Sequence, residues 1–427
     1  MEISINPKRS EWEALCRRPS EDDPALRSRV EAIIARVNAG GDKALRELAL
    51  EIDGRAPESI EVSREAVERA CAKVSPEVKD AIKNASANIA AFHKAQMPGT
   101  ITVETAPGVK CIQKPVPIGK VGLYIPGGTA PLFSTVLMLA LPAAIAGCPE
   151  IVLCTPAGKS GEIAPEVLYA ASQCGVTKIY EIGGAQAVAA MAFGSESVPK
   201  VDKIFGPGNR YVTTAKQILG GSVVSIDMPA GPSEVMVIAD ETTNPAFAAA
   251  DLLSQAEHGR DSQVMLVCRS EETALKIREE VEAQIQTLGR AELAEASLRK
   301  SRFVVLEDES DIIDFANLYA PEHLIVSTRQ PWSIVDGITA AGSVFVGAYT
   351  PESAGDYASG TNHTLPTCAW ARSCSGVNID SFIRKMTIQE ISAEGLEGIC
   401  GTIVAMAQAE GLQAHANAVK IRLDEEK

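Results

Sequence analysis

The chain has 427 residues, of which 46% are hydrophobic and 22% charged, a composition typical of a folded globular protein rather than a disordered one. Its 55 acidic residues outnumber its 40 basic residues and give a formal net charge of −15, which argues against nucleic-acid binding because that function needs a basic surface. The longest apolar run, 136–148, contains Pro142 and is shorter than the roughly 20 residues that cross a bilayer.

The first hundred residues are predicted to be mostly helical. Residues 25–53 and 77–96 repeat apolar positions at helical spacing, as expected of helices that pack one face on a core. The amino terminus is charged from its first residues and lacks the apolar core of a secretory signal, so we expect a cytoplasmic protein. The ten cysteines are scattered without a CxxC pair, which favours small buried thiols over a disulfide or metal framework.

Strands and helices alternate from about residue 120 in two successive blocks. The first block runs from KVGLY to VMVIAD, and the second continues to GSVFVGAYT. Alternation at this spacing indicates βαβ units and parallel sheets covered by helices on both faces. The alternative that the two blocks are distant repeats of each other stays open. After Asp380 the pattern becomes helical and polar.

Three glycine turns follow strands of the first block. They are Pro126-Gly127-Gly128, Gly183-Gly184 and Gly206-Pro207-Gly208. The carboxyl ends of parallel strands form the crevice where α/β proteins bind ligands, and glycine lets the backbone approach a phosphate. No GxGxxG motif follows a strand, so spacing alone leaves a nucleotide site and ordinary tight turns both open.

Four of the five histidines lie after residue 250, and each has a polar neighbour that can act as a ligand. The pairs are Gln255 with His258, Glu322 with His323, Asp356 with His363, and Glu410 with His415. Nitrogen and oxygen donors of this kind suit zinc with an open coordination position. No HExxH or cysteine-based zinc pattern is present, so a structural role for each histidine remains the alternative. His93 is interpreted as structural or solvent-exposed.

Eight ordered strings in the chain resemble the histidinol dehydrogenase family. They are VGLYIPGGTAPLFSTVLM, GGAQAVAAMAFG, FGPGNRYV, DMPAGPSEVMVIAD, LLSQAEHG, APEHL, GTNHTLPT and EGLQAHA. The resemblance covers nearly the whole chain. It implies a homodimeric enzyme with one zinc ion per subunit, which oxidises L-histidinol through L-histidinal to L-histidine and reduces two NAD.

The same resemblance assigns roles to individual residues. It implies that zinc is bound by Gln255, His258, Asp356 and His415 of the partner subunit. The substrate would contact these four positions together with Ser233, His323 and Glu410. NAD would contact Tyr124, Gln186 and Asn209. Two roles stay open for His363: it steadies the substrate or the neighbouring loop, or it is purely structural.

The resemblance also assigns the chemistry to two neighbouring residues. His323 is the implied general base for the alcohol, a task that suits an imidazole with a pKa near neutrality. Glu322 is implied to activate the water that hydrates the aldehyde. Neighbouring side chains on a regular strand point to opposite faces, so we expect a bend or a strand end at this pair.

The fold expected from the resemblance consists of two incomplete Rossmann-like parallel-sheet domains with small helical terminal segments. Residues 1–20 form the amino-terminal helical segment, and 21–120 with 238–378 form a first α/β domain that carries most zinc and catalytic residues. Residues 121–237 form the NAD-binding domain, and 379–427 form a helical dimerisation segment that contributes to the partner's site.

Two other functions remain open at this point. A relative of the family with zinc and NAD could oxidise a different small polyol or a sulfonated alcohol. A zinc- or nucleotide-binding protein without turnover could share the scaffold, although such a protein would need no general base. Ser233 and Glu410 favour the amino-alcohol substrate, and the pair Glu322 and His323 argues against a protein that only binds.

Overall fold

The computed structural model describes residues 1–18, 24–127, 131–158, 161–229 and 231–424. The chain forms two compact units, Met1–Gln96 with Gly119–Phe382, and Met97–Ile118 with the chain from Ile383 onward. None of the described helices combines the length and apolar character that a membrane crossing requires.

The elements are numbered along the chain. The strands are β1 Glu2–Ile5, β2 Ile101–Ala106, β3 Val109–Pro117, β4 Lys120–Tyr124, β5 Glu150–Thr155, β6 Lys178–Glu181, β7 Lys203–Phe205, β8 Ser225–Ile226, β9 Glu234–Ala239, β10 Gln263–Cys268, β11 Arg302–Val305, β12 His323–Ser327, β13 Ser343–Val346 and β14 Ile383–Ile391. The helices are α1 Trp12–Leu15, α2 Pro24–Asp53, α3 Arg64–Lys73, α4 Pro76–Ala95, α5 Phe133–Ala146, α6 Pro165–Gln173, α7 Gly184–Phe193, α8 Arg210–Leu219, α9 Pro245–Ala256, α10 Glu271–Gln284, α11 Ala291–Leu298, α12 Glu309–Tyr319, α13 Pro331–Val335, α14 Glu352–Tyr357, α15 Ala393–Ala409 and α16 Gln413–Asp424.

A five-stranded parallel sheet forms the first half of the larger unit, in the order β6-β5-β4-β7-β8. Its central strands are buried along almost their whole length, as expected of a parallel sheet with helices on its faces. The alternation of strand and helix predicted for this region is confirmed. The carboxyl ends of β4, β5, β6 and β7 therefore lie at one edge of the sheet.

A six-stranded parallel sheet forms the second half, in the order β1-β11-β10-β9-β12-β13. Strands β9 and β10, EVMVIA and QVMLVC, are buried at every residue. The edge strand β1 corrects the prediction that residues 1–20 are helical throughout. Glu2–Ile5 is too short to show a period in the sequence, and it becomes a strand because β11 offers it a free parallel edge.

Helix α2 packs on the five-stranded sheet. Leu26, Val30 and Leu45 lie in one buried core with Val188 of α7 and Val152 of β5. This packing differs from the predicted grouping of residues 21–120 with 238–378, because the apolar stripe of α2 faces helix α7. The remainder of the predicted division into domains stays a prediction.

The second unit contains a three-stranded antiparallel sheet in the order β14-β3-β2. Ile383 pairs with Pro117, and the pairing continues residue by residue to Ile391 with Val109. Helices α15 and α16 pack against each other in the same unit. The prediction of a wholly helical segment at 379–427 is therefore corrected at β14, where the alternation of Met386 and Ile388 with polar residues has the period of a strand.

Candidate active site

Glu322 and His323 lie where two neighbouring strands of the six-stranded sheet begin. Strand β12 starts at His323, and it pairs with β9 so that His323 lies opposite Val235. Ala320, just before the pair, has a left-handed φ of 51°, which turns the chain sharply out of α12. The strand end that we expected at Glu322 and His323 is confirmed.

The main chain of Glu234 binds both of these side chains. Its N–H donates to Glu322 Oε2 at 2.8 Å, and its carbonyl lies 3.1 Å from His323 Nδ1. A carbonyl oxygen only accepts, so Nδ1 carries the imidazole proton and Nε2 is the acceptor nitrogen. Both side chains are buried, and no group in the described part of the chain hydrogen-bonds Nε2. The Glu234 carbonyl thereby fixes the tautomer of His323 and leaves the lone pair of Nε2 without a hydrogen bond from the described residues.

A cluster of possible metal ligands lies beside His323. His258, Glu352 and Asp356 each place one donor atom within 4.8 Å of the others. His323 Nε2 lies 3.9 Å from Asp356 Oδ1. Gln255, in the last turn of α9, is buried, and with its amide turned so that both ends find partners it donates to Glu352 and accepts from Glu234 N–H at 3.1 Å. The structure thus brings together three of the four predicted ligand positions.

Burial disfavours charge on the ionisable groups of this cluster. It raises the pKa of Glu322 and Glu352 well above the usual carboxyl range, and nearby acids raise both further. It raises the pKa of Asp356 and Asp251 to about 7 and lowers that of His323 to about 3. Buried carboxyls without a compensating cation have this property, and a divalent ion would supply the missing charge. The nitrogen and oxygen donors fit zinc.

Glu352 was missed by the sequence reasoning. The segment PESAGDY places it four residues before Asp356 on α14, and residues at this spacing share one face of a helix. The four-residue spacing to Asp356 is the feature of the sequence that indicates Glu352 as a candidate site residue. Its carboxyl is 1% exposed and lies 3.8 Å from His323 Nδ1, so it belongs to the candidate site.

The other histidines have distinct positions. His363 Nδ1 donates to the main-chain carbonyl of Asp356 at 3.0 Å, and its Nε2 lies 3.2 Å from Thr135 Oγ1. These bonds tie the end of α14 and the loop that carries His363 to α5, which agrees with a role in steadying that loop. His93 is fully buried, with Nδ1 2.8 Å from the carbonyl of Ile89, so it is structural.

The remaining predicted substrate residues belong to different parts of the fold. Ser233 immediately precedes β9 and Glu234, and its carbonyl accepts from Gln263 N–H at 3.1 Å. Glu410 ends α15 and His415 lies in α16. Both of these residues belong to the second compact unit.

The predicted NAD residues all lie at the carboxyl edge of the five-stranded sheet. Tyr124 ends β4, and its hydroxyl accepts from Gly184 N–H at 3.1 Å. Gln186 lies in the first turn of α7 and is buried. Asn209 is the N-cap of α8 and accepts from Tyr211 N–H at 3.0 Å. Gly128, in the first of the predicted glycine turns, lies outside the described residues.

Glycine is required at one turn of this edge. Gly206 has a φ of 122°, and a Cβ there would overlap the main-chain carbonyl of Tyr124. The turn after β7 can therefore lie directly against the end of β4.

The fold and the site together define an α/β enzyme with a buried histidine beside a cluster of possible metal ligands. Comparison with known proteins gives the family: the family model of histidinol dehydrogenase matches residues 16–423. The chain belongs to the histidinol dehydrogenase family and is an NAD-dependent oxidoreductase.

Individual relatives support this assignment across the full length of the chain. Histidinol dehydrogenase of Bacteroides fragilis (strain YCH46) is 53% identical over 425 residues, covering 100% of this chain and 99% of the relative. That of Escherichia coli (strain K12) is 52% identical over 399 residues, with 92% and 91% covered. The crystal structure of histidinol dehydrogenase from Elizabethkingia anophelis has a TM-score of 0.96 and 49% identity, with 100% and 98% covered.

Proposed function

We propose that the protein oxidises L-histidinol through L-histidinal to L-histidine and reduces two NAD, the last two steps of histidine biosynthesis. The observation that carries this proposal is the orientation of His323. Its Nδ1 is held by the Glu234 carbonyl at 3.1 Å, and its Nε2 is left as an acceptor beside Asp356 and His258. The names and identities of the relatives support the same reaction.

His323 acts as the general base in the first oxidation. Hydride leaves an alcohol carbon readily only when the hydroxyl proton is removed, and an oriented imidazole can accept that proton. Burial lowers the pKa of His323 to about 3, below the near-neutral value that the resemblance led us to expect. The ring is therefore neutral at pH 7 with its lone pair on Nε2, and it is a weaker base than an exposed imidazole. NAD, when bound at the edge that carries Tyr124, Gln186 and Asn209, accepts the hydride.

Glu322 acts in the second oxidation. The aldehyde must add water before it can lose a second hydride, and a carboxylate can take the proton of that water. Burial raises the pKa of Glu322, so its carboxylate is a stronger base than an exposed one once a bound cation has favoured its ionisation. The N–H of Glu234 holds one carboxyl oxygen in place at 2.8 Å and leaves the other for water. His323 again accepts protons in this step.

The proposed metal and substrate ligands are those implied by the resemblance to the family. We propose that Gln255, His258, Asp356 and His415 of the partner subunit hold one zinc ion per subunit in a homodimer. Bound zinc would orient the imidazole and amine of the substrate. The carboxylate of Glu410 would pair with the substrate ammonium, and Ser233 would hydrogen-bond the substrate beside β9. We also propose a cytoplasmic location, without nucleic-acid or membrane partners.

The experiment that tests this function counts NADH formed per L-histidinol consumed, with and without prior chelation of the metal. Two NADH per substrate, lost on chelation and restored by zinc, are expected. One NADH, or activity only with another alcohol, would favour a relative with a different substrate. No turnover by a zinc-loaded protein would favour a protein that only binds zinc or nucleotide.

Shared active sites can be tested by mixing two inactive variants. His323→Asn and His415→Ala are each expected to be inactive, and His323→Asn is expected to keep its zinc. In a mixed dimer one site combines an intact His323 with an intact His415 of the partner subunit. Unfolding and refolding the two variants together should therefore restore activity, and a mixture that stays inactive would argue against shared sites.

A further inference from the structure

Arg18 and Glu234 form a buried ion pair beside the candidate active site. Arg18 Nε lies 2.8 Å from Glu234 Oε1, and Arg18 Nη2 lies 2.9 Å from Oε2, so the contact is bidentate. The two side chains are 13% and 2% exposed. A bidentate arginine pair fixes the plane of the carboxylate as well as its distance.

Glu234 links this ion pair to both proposed catalytic side chains. Its carboxylate is bound by Arg18, while its main-chain N–H and carbonyl bind Glu322 and His323. A residue whose side chain is fixed on one side has little freedom to shift or rotate its peptide groups on the other. The geometry of both proposed catalytic groups therefore depends on one residue, Glu234.

Arg18 also holds the turn that leads into Glu322. Its Nη2 donates to the carbonyl of Tyr319 at 2.6 Å and lies 3.4 Å from that of Ala320. Its guanidinium carbon lies 3.9 Å from the centre of the Tyr319 ring. Ala320 is the left-handed residue just before the catalytic pair. Arg18 therefore holds both the turn before Glu322 and the side chain of Glu234, whose peptide groups bind the pair.

A third segment meets the same carboxylate. Glu234 Oε1 accepts from Cys368 N–H at 2.9 Å, and Gly231 N–H donates to Thr367 Oγ1. A Cβ at Gly231 would lie 2.6 Å from Cys368 Sγ. The backbone at Cys368, for which the sequence offered no role, thus helps to hold the start of β9.

We propose that Arg18 and Glu234 are positioning residues for the oxidation chemistry, acting through the peptide groups of Glu234 on Glu322 and His323. The inference rests on the proposed function. A purely structural role would give a different result: losing one partner of a buried pair would lower the free energy of unfolding substantially and leave the turnover rate of the folded protein unchanged. Breaking this pair should change the turnover rate in every variant that still folds and binds zinc.

The test compares Glu234→Gln and Arg18→Lys with the unchanged protein. Glutamine keeps the size of Glu234 but loses its charge. Lysine keeps the charge of Arg18 but cannot form a bidentate contact with the carboxylate. We expect kcat to fall about 10- to 100-fold for both L-histidinol and L-histidinal, because small displacements of catalytic groups cost this much. KM and zinc content should change by less than about threefold.

Arg9 provides the matched control. It lies in the same amino-terminal segment and pairs with Asp311 and Asp314 of α12, but its side chain is 61% exposed. Arg9→Met should leave kcat and KM unchanged. Unchanged kcat in folded, zinc-loaded Glu234→Gln and Arg18→Lys would overturn the proposal, and so would an equal loss in Arg9→Met.

A spectroscopic measurement separates this inference from the proposed function. The chain has only five histidines, so selective ¹⁵N labelling can resolve the ring of His323. We expect a protonated Nδ1 and an unprotonated Nε2 in the unchanged protein and a mixture of tautomers in Glu234→Gln. If the unchanged protein failed to oxidise L-histidinol, the proposed reaction would be wrong. An identical His323 signal in Glu234→Gln would refute the positioning role, whatever the activity.

Discussion

Lys216 and Asp227 form a buried ion pair that holds the glycine turn after β7. Their side chains are 5% and 2% exposed. Lys216 Nζ donates to the carbonyl of Gly206 at 2.9 Å, and Asp227 Oδ2 accepts from Gly206 N–H at 2.8 Å. Both main-chain polar groups of Gly206 are therefore fixed at the edge where Asn209 caps α8, the proposed NAD site.

Replacing Lys216 with methionine should weaken NAD binding. The turn at Gly206 would lose one of its two anchors, and Asp227 would be left as a buried charge without its cation. We expect the KM for NAD to rise on the order of tenfold, about 1.4 kcal/mol, with a loss of about 3–5 kcal/mol in the free energy of unfolding. Initial rates and urea unfolding measure the two effects.

The control for this variant is Lys178→Met. Lys178 is 47% exposed and lies 3.5 Å from Glu61, and an exposed pair of this kind contributes less than about 1 kcal/mol. Neither the KM for NAD nor the stability should change measurably. A Lys216→Met protein that is folded and has an unchanged KM for NAD would show that the turn needs no such support.

The packing of α2 on the five-stranded sheet predicts that two of its leucines contribute very different amounts to the free energy of unfolding. Leu48 is 1% exposed and lies in the core with α7, whereas Leu50 is 60% exposed. Leu48→Ala should lower the free energy of unfolding by about 2–5 kcal/mol, and Leu50→Ala should change it by less than about 0.5 kcal/mol. Denaturant unfolding measures both, and equal losses would contradict the packing.

The alternation of short apolar strands with helices was enough to predict two parallel sheets. Strands such as EVMVIA and QVMLVC are buried at every residue. Their apolar runs therefore indicate a strand even when the neighbouring strands are unknown. Strands β1 and β14 could not be predicted in this way. Each becomes a strand because a distant segment, β11 or β3, offers hydrogen-bonding groups. Strand β1 is too short to show a period, and the alternation in β14 covers too few apolar residues to identify a strand without that partner.

Site residues could be predicted where two polar side chains lie close together in one segment of the sequence. Gln255 with His258, and Glu322 with His323, are close in sequence and lie in one site. Glu352 and Arg18 were missed for different reasons. Glu352 has a helical spacing to Asp356 that can be recognised, whereas Arg18 reaches Glu234 only through folding, and no local pattern indicates which arginine will be buried.

The burial of Asp356 predicts a pH dependence of stability in the metal-free protein. Burial raises its pKa from 3.8 to about 7, so the folded state holds this proton more tightly than the unfolded state does. Its contribution to stability is therefore complete below about pH 4 and is lost as the pH rises to about 7. Urea unfolding after chelation, between about pH 4.5 and about pH 7.5, should show a shallower fall in Asp356→Asn than in the unchanged protein.

Asp261→Asn is the control for this measurement. Asp261 is 54% exposed and pairs with Lys300 at 2.8 Å, so its replacement should leave the slope of stability against pH unchanged. Added zinc should remove the fall seen in the unchanged protein, because a bound cation favours the ionised carboxylate. Parallel slopes for Asp356→Asn and the unchanged protein would mean that Asp356 does not titrate in this window.

Glu352 should contribute to metal affinity even though the resemblance to the family assigned it no role. Its carboxyl meets His258 and Asp356 within 4.8 Å and accepts from the amide of Gln255, so it can either bind the ion or orient a group that does. Glu352→Gln removes the charge and one acceptor oxygen. We expect zinc affinity to fall about 10- to 100-fold, as for other groups that support metal ligands. Competition with a chromogenic chelator measures this without reference to activity.

Glu309→Gln, at a carboxylate that is 38% exposed and pairs with Arg269, is the control and should leave zinc affinity unchanged. If Glu352→Gln also kept its zinc affinity but lost turnover, the carboxyl would act on His323, 3.8 Å away, rather than on the metal.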